Sequence, residues 1–206
     1  MDTKNERKPG LNLQATKGTM KLLVIHSSPN KEGLTAACAA AAWKGARQAG
    51  ATVEMIQLND LNIGNCQACD DGWGTCLAEH RCKVEDGFQA MHKRLAGLDG
   101  LILVTPVYWG EMSESAKAFT DRLRRCEATR KHGQSLLFNK PVIAVAAAGG
   151  SGGGMISCLA SMERWIQHVQ ARTFDLNPVN RWSREYKLLA IRSAGKTMAL
   201  ELQQKE

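Results

Sequence analysis

Four cysteines, Cys66, Cys69, Cys76 and Cys82, fall within seventeen residues as C-x2-C-x6-C-x5-C. Thiolates grouped this way can ligate a [4Fe–4S] cluster or a zinc ion. They can equally be plain or redox-active thiols, and the spacing leaves all three open. A second chemical stretch is "HSSPNKEGLTAACA", His26–Ala39, where an apolar run gives way to hydroxyls and then to an alanine-rich segment. Ser27, Ser28, Asn30, Gly33 and Thr35 on a strand-to-helix turn suit an anion, because a helix N-terminus offers free N–H groups and partial positive charge. Simple N-capping by Ser or Thr is the alternative. A third stretch, "TPVYWGEMS" (Thr105–Ser113), sets Tyr108 beside Trp109 in a chain with few aromatics. It is a wall for a flat ligand or the cover of a dimer interface. A fourth, "AAAGGSGGGMIS", lets backbone N–H groups approach a ligand closely around Gly149–Gly154. It is neither a P-loop nor a GxGxxG fingerprint, which disfavours nucleotide triphosphate hydrolysis.

The elements that must carry these stretches alternate. Strands are expected at Lys21–Ile25, Val53–Leu58, Leu101–Pro106, the "PVIAVAAAGG" run and Gln170–Phe174. Helices are expected at Thr35–Gln48, Asp86–Leu95, Ser113–Arg125, Met155–His168 and Ser183–Gln203. The third of these strands is a near-continuous apolar run, as in a strand buried on both faces. Such alternation gives an α/β fold: a flavodoxin-like, doubly wound, five-stranded parallel sheet with helices on both faces. Ligands in such sheets sit at the carboxyl ends of the strands near the switch point. That singles out residues 27–35, 105–113 and 147–154. Residues 1–19 read as a polar arm, and residues 20–206 as one domain with a cysteine-rich insertion at 59–84.

Composition narrows the function classes. The 206 residues are 44% hydrophobic and 23% charged, as in ordinary globular proteins. No apolar run reaches a membrane span, and the first twenty residues lack the apolar centre of a signal peptide, so a cytoplasmic protein is expected. The net charge of +7 draws on Lys4, Arg7, Lys8 and Lys17 and on the run Asp121–His132. No aromatic-basic platform or helix-turn-helix accompanies it, so nucleic acid is not the expected partner. Basic residues late in a helix complement its dipole. Cys38, Cys126 and Cys158 read as small buried hydrophobes on helices. His26, at a strand end, reads as structural.

From Lys21 to Ser157 the chain resembles the NADPH-dependent FMN reductases and iron–sulfur flavoproteins, through "HSSPNKEGLT" and above all "TPVYWGEMSESAKAFTDRL". The resemblance implies non-covalent FMN, its phosphate held by Ser28, Asn30 and Thr35. Its ring would be lined by Pro106, Val107, Tyr108, Trp109 and Gly110 and closed by Ala148, Gly149 and Gly150. Departures are Ser27 for the usual glycine, Asn30 for arginine and Leu34 for asparagine. The iron–sulfur flavoproteins carry a compact four-cysteine motif here, whose third cysteine position is Gly72 in this chain. The implied activity is hydride transfer from NAD(P)H to FMN and on to a small acceptor such as a quinone, with the flavin rather than a side chain carrying the chemistry. The alternative is an electron-transfer protein with a [4Fe–4S] cluster at Cys66, Cys69, Cys76 and Cys82. A homodimer or homotetramer is expected, a neighbouring subunit helping to cover the ring.

Overall fold

A computed structural model describes residues 19–204, so all but the last residue of the expected polar arm lies outside it. In chain order the elements are β1 (Lys21–His26), α1 (Leu34–Gln48), β2 (Thr52–Gln57), a 3-10 turn (Leu58–Asp60) and α2 (Thr75–Ala78). There follow α3 (Gly87–Leu95), β3 (Gly100–Tyr108), β4 (Glu111–Met112) and α4 (Glu114–Glu127). The last are β5 (Pro141–Ala148), α5 (Met155–His168), β6 (Arg172–Asn180) and α6 (Arg184–Gln204).

Five strands pair in parallel in the order β2-β1-β3-β5-β6. The order reverses between β1 and β3, so the flavodoxin-like switch point lies where the hydroxyl loop leaves β1. The side-chain alternation of β1 splits the core in two. Leu23 and Ile25 join Phe88, Phe119, Leu123 and Trp165 from α3, α4 and α5. Leu22 and Val24 face Cys38, Ala42, Ile191 and Met198 from α1 and α6. Alanines and glycines on α1 and α6 let their backbones meet: a Cβ at Gly45 would stand 1.9 Å from the Arg192 carbonyl oxygen. The central strands carry the apolar runs because both of their faces are covered, and every residue of β5 is buried.

Two features differ from the sequence reading. Strand β6 runs on to Asn180 instead of ending at Phe174. Asp175, Asn177 and Pro178 argue against a strand, but β6 is an edge, where one row of backbone groups has no ladder partner and Pro is tolerated. The chain also turns back after Tyr108 as β4, a two-residue antiparallel strand on β3. It is too short to show in periodicity.

Candidate functional site

The hydroxyl loop is built around a bare helix start. The N-cap of α1 is Gly33, with no side-chain cap, and the first amide bonded inside the helix is that of Ala37, to the Gly33 carbonyl at 3.0 Å. N-capping by Ser or Thr therefore does not explain this stretch. Ser28 is buried in this loop and Thr35 in the first turn of α1. The Ser28 hydroxyl accepts the Asn30 amide at 3.2 Å, and the Gln57 side chain donates to the Ser28 carbonyl at 2.9 Å. Asn30 itself is exposed, and its side-chain oxygen accepts the Glu32 amide at 3.0 Å, which shapes the turn.

Ser27, the departure from the usual glycine, has a structural reason. Its side chain is fully buried, donates to Thr105 Oγ1 at 3.0 Å and accepts from Ser113 Oγ at 2.7 Å. Ser113 also donates its amide to Thr105 Oγ1 at 3.0 Å, and Ser115 donates to the Ser27 carbonyl at 3.3 Å. These hydroxyls tie the loop after β1 to the loop after β3. His26 is buried at the same edge, its Nδ1 without a partner, and burial holds its pKa below the ordinary histidine value despite the opposing Asp60 charge.

The other two loops meet each other. Pro106 is buried, Val107 half-buried, and Tyr108 and Trp109 exposed. Trp109 (φ 51°) and Gly110 (φ 82°) both have positive φ, as a two-residue type I′ hairpin turn requires. A bulky residue held left-handed is strained, and here the turn holds the indole fully in solvent. Across from it, Gly154 (φ 79°) is the uncapped start of α5, and a Cβ there would lie 2.5 Å from Gly110 Cα. Ser157 Oγ donates to the Gly110 carbonyl at 3.0 Å. Ala148 is buried, whereas Gly149 and Gly150 are exposed and an added Cβ would meet nothing within 4 Å at either. Their smallness therefore serves no internal packing and leaves the backbone open to a ligand. The residues fit FMN: a bare helix N-terminus with hydroxyls for a phosphate, an aromatic hairpin, and an unobstructed glycine backbone.

The four clustered cysteines line one small concavity together with Gly72, Gly74, Thr75, Arg122 and Arg125. The longer spacer is accommodated because Gly72 (φ 100°) turns the backbone and the short helix α2 brings in Cys76. Arg122 and Arg125, both on α4, hold this segment in place. Arg122 donates to the carbonyls of Gly64 at 3.0 Å and Val84 at 2.9 Å, and to Asp86 Oδ2 at 2.6 Å. Its guanidinium stacks 4.5 Å from the Phe88 ring centroid. Arg125 bonds the Gly72 carbonyl and stacks 4.6 Å from the Trp73 ring centroid.

Sequence reasoning placed Arg122 among helix-end cations. The structure corrects this, since its side chain is fully buried. The signal was its spacing, three residues after Phe119 and four before Cys126 on the apolar stripe of α4. Cys38, Cys126 and Cys158 are buried as expected, and burial is the main cause lifting each thiol to about 12. Among the described residues, no three His, Cys, Asp or Glu side chains converge closely enough to hold a metal ion, and no helix is long and apolar enough to cross a membrane.

The profile of the NADPH-dependent FMN reductases matches residues 20–177. An iron–sulfur flavoprotein of Methanosarcina thermophila is 27% identical over 150 residues, which cover 71% of this chain and 73% of that one. Another, from Methanocaldococcus jannaschii, is 32% identical over 105 residues, 51% of this chain and 52% of the relative, so the match spans about half its length. Among solved structures, the NAD(P)H:quinone oxidoreductase of Methanothermobacter marburgensis superposes with a TM-score of 0.66 at 18% identity, covering 88% of this chain and 96% of that one. RosB, solved with 8-demethyl-8-formylriboflavin 5′-phosphate, gives 0.71 at 14% identity, covering 91% and 80%. At these identities the two superpositions establish a shared fold.

Proposed function

The chain belongs to the NADPH-dependent FMN reductase family, and from that premise we propose that it takes hydride from NAD(P)H and passes electrons to a small acceptor such as a quinone, using FMN. The observation that carries this reading is the bare N-terminus of α1, with buried Ser28 and Thr35, at the sheet's switch point. The α1 amides and these two hydroxyls would hold the phosphate, a doubly charged group that suits uncapped N–H donors. Asn30 shapes the loop around it. Pro106–Gly110 would line the ring, and the amides at Ala148–Gly150 would meet negative charge developing on its pyrimidine edge. FMN supplies hydride acceptance and onward electron transfer, so the chain need only position it and its donor.

A second reading is favoured by one observation: all four clustered cysteines line one concavity. We propose that they hold a [4Fe–4S] cluster. Four thiolates are the ligand set that such a cluster takes, and the same concavity is lined by all four. The buried Arg122 Nε, which has no partner and belongs to a residue lining the concavity, suits an anionic occupant.

The chain would act as a homodimer or homotetramer. Supporting this, the exposed aromatic residues Tyr108, Trp109, Trp182 and Tyr186 all rise from or beside the carboxyl edge of the sheet, around the flavin loops.

The test is the purified protein's flavin and its turnover. Mass spectrometry of the heat-released cofactor should give FMN, and NAD(P)H oxidation should depend on an added quinone. FAD alone, or no flavin, would overturn the assignment.

A further inference from the structure

Two cations stand at the thiol-lined concavity, and neither is solvated in the ordinary way. Arg122 has a side chain of 0% exposure and an Nε–H with no acceptor. Its ion-pair partner is Asp86, itself an N-cap that accepts the Phe88 amide at 2.9 Å. Arg125, one turn along α4, is half-buried, with its guanidinium between the Trp73 face and the Gly72 carbonyl. Both residues line the same concavity as the four cysteines. Burying a guanidinium is costly unless an anion and hydrogen-bond acceptors compensate it. Lys83, the other cation at the rim, is exposed and paired with Asp70 at 2.9 Å, so it is excluded from this role.

We propose that Arg122 and Arg125 set the reduction potential of a cluster held by Cys66, Cys69, Cys76 and Cys82. The inference rests on the cluster reading above and adds a role for the two arginines. Reduction adds one negative charge to an already anionic centre. Two fixed guanidiniums at its wall favour that charge, and N–H donors directed at thiolate sulfur act in the same direction. Low dielectric at a buried site strengthens the effect, and the fork of Arg122 cannot turn away, because Gly64, Val84 and Asp86 occupy it. Both arginines come from the helix that follows the aromatic hairpin, so one element joins the cluster wall to the flavin loop.

The experiment uses the full-length protein, reconstituted anaerobically with iron and sulfide and titrated by EPR. The unaltered protein should hold about four irons per chain. Arg125→Gln should keep the iron and the FMN. It should lower the equilibrium constant for cluster reduction at least tenfold, about 59 mV for a one-electron couple, with Arg125→Lys restoring most of the loss. Arg122→Gln should shift it further in the same direction; if that variant does not fold, Arg125→Gln carries the test alone. Iron retained with an unchanged potential in Arg125→Gln overturns the role of the arginines and leaves the cluster standing. No iron in the unaltered protein overturns the cluster, and this inference with it, while FMN binding is read separately from the flavin absorbance.

Discussion

Ser28 and Thr35 are buried hydroxyls in the loop and first turn of a helix that no side chain caps, and a phosphate is the group that would use both. Replacing each with Ala should weaken FMN binding by about 1–3 kcal/mol, the range for a lost hydrogen bond to a charged group. Riboflavin, which lacks the phosphate, should bind as before; equal losses for both flavins would move the phosphate elsewhere. Gly149 gives the complementary case. Because an added Cβ meets nothing there, Gly149→Val should change stability by no more than about 0.5 kcal/mol. It should still cost FMN affinity about tenfold or more, about 1.4 kcal/mol, read by flavin fluorescence. A destabilised apoprotein with normal FMN affinity would contradict this reading of the loop.

Glu127 is a residue-scale device for stability. Its carboxylate is buried, and burial alone would raise its pKa. The His92 Nε2 contact at 2.6 Å, the Leu136 amide at 2.6 Å and the Arg130 charge outweigh burial and hold it below the ordinary value of 4.5. A depressed carboxyl contributes stability that is present above its unfolded pKa and is lost as pH falls through the folded one. Urea midpoints should therefore drop on acidification below 4.5, and Glu127→Gln should flatten that drop while lowering stability at neutral pH. An unchanged acid slope in the variant would place the acid sensitivity elsewhere.

At the scale of elements, α4 links two candidate sites. Its N-cap, Ser113, belongs to the hydroxyl network with Ser27 and Thr105, and its middle carries Arg122 and Arg125 to the cysteine segment. The start of α3 depends on the same residues, since Asp86 caps it in a capping box with Gln89 and also pairs with Arg122. Asp86→Ala should cost at least about 3 kcal/mol, because it leaves a fully buried guanidinium without its partner ion. Asp121→Ala, which breaks the half-exposed Lys117–Asp121 pair on the same helix, should cost at most about 1 kcal/mol. Chemical denaturation of the two variants side by side checks the contrast. Similar losses would mean that Arg122 finds other compensation.

At the scale of the whole molecule, the most exposed aromatic side chains gather at the carboxyl edge of the sheet. Trp109 is fully exposed, and Trp182 and Tyr186 are each more than 60% exposed. Exposed aromatic groups of this size around a ligand edge mark a contact surface. Light scattering at micromolar concentration should report a dimer or tetramer, and the double change Trp182→Ser with Tyr186→Ser should reduce the mass toward that of one chain. A monomer in the unaltered protein would refute the oligomer. The same result would leave the FMN loops without the expected cover from a neighbour.

The sequence by itself determined the layered fold and marked three candidate ligand loops, because both depend on local pattern. The apolar runs Leu22–Ile25 and Leu101–Val104, each followed by a glycine- or hydroxyl-rich turn, have the pattern of strands covered on both faces. It also marked the four cysteines. Tertiary structure alone decided that Ser27 is tied to Thr105 and Ser113, partners 78 and 86 residues away. It decided too that Gly149 and Gly150 are open whereas Gly154 is pressed against Gly110. Arg122 shows the physical reason. Its spacing allowed either a solvated helix-end cation or a buried one, and only the arrival of Asp86, Gly64 and Val84 from another part of the chain makes burial tolerable. Composition and periodicity record which residues can be buried, whereas the compensation that permits a charge to be buried is a long-range property of the assembled fold.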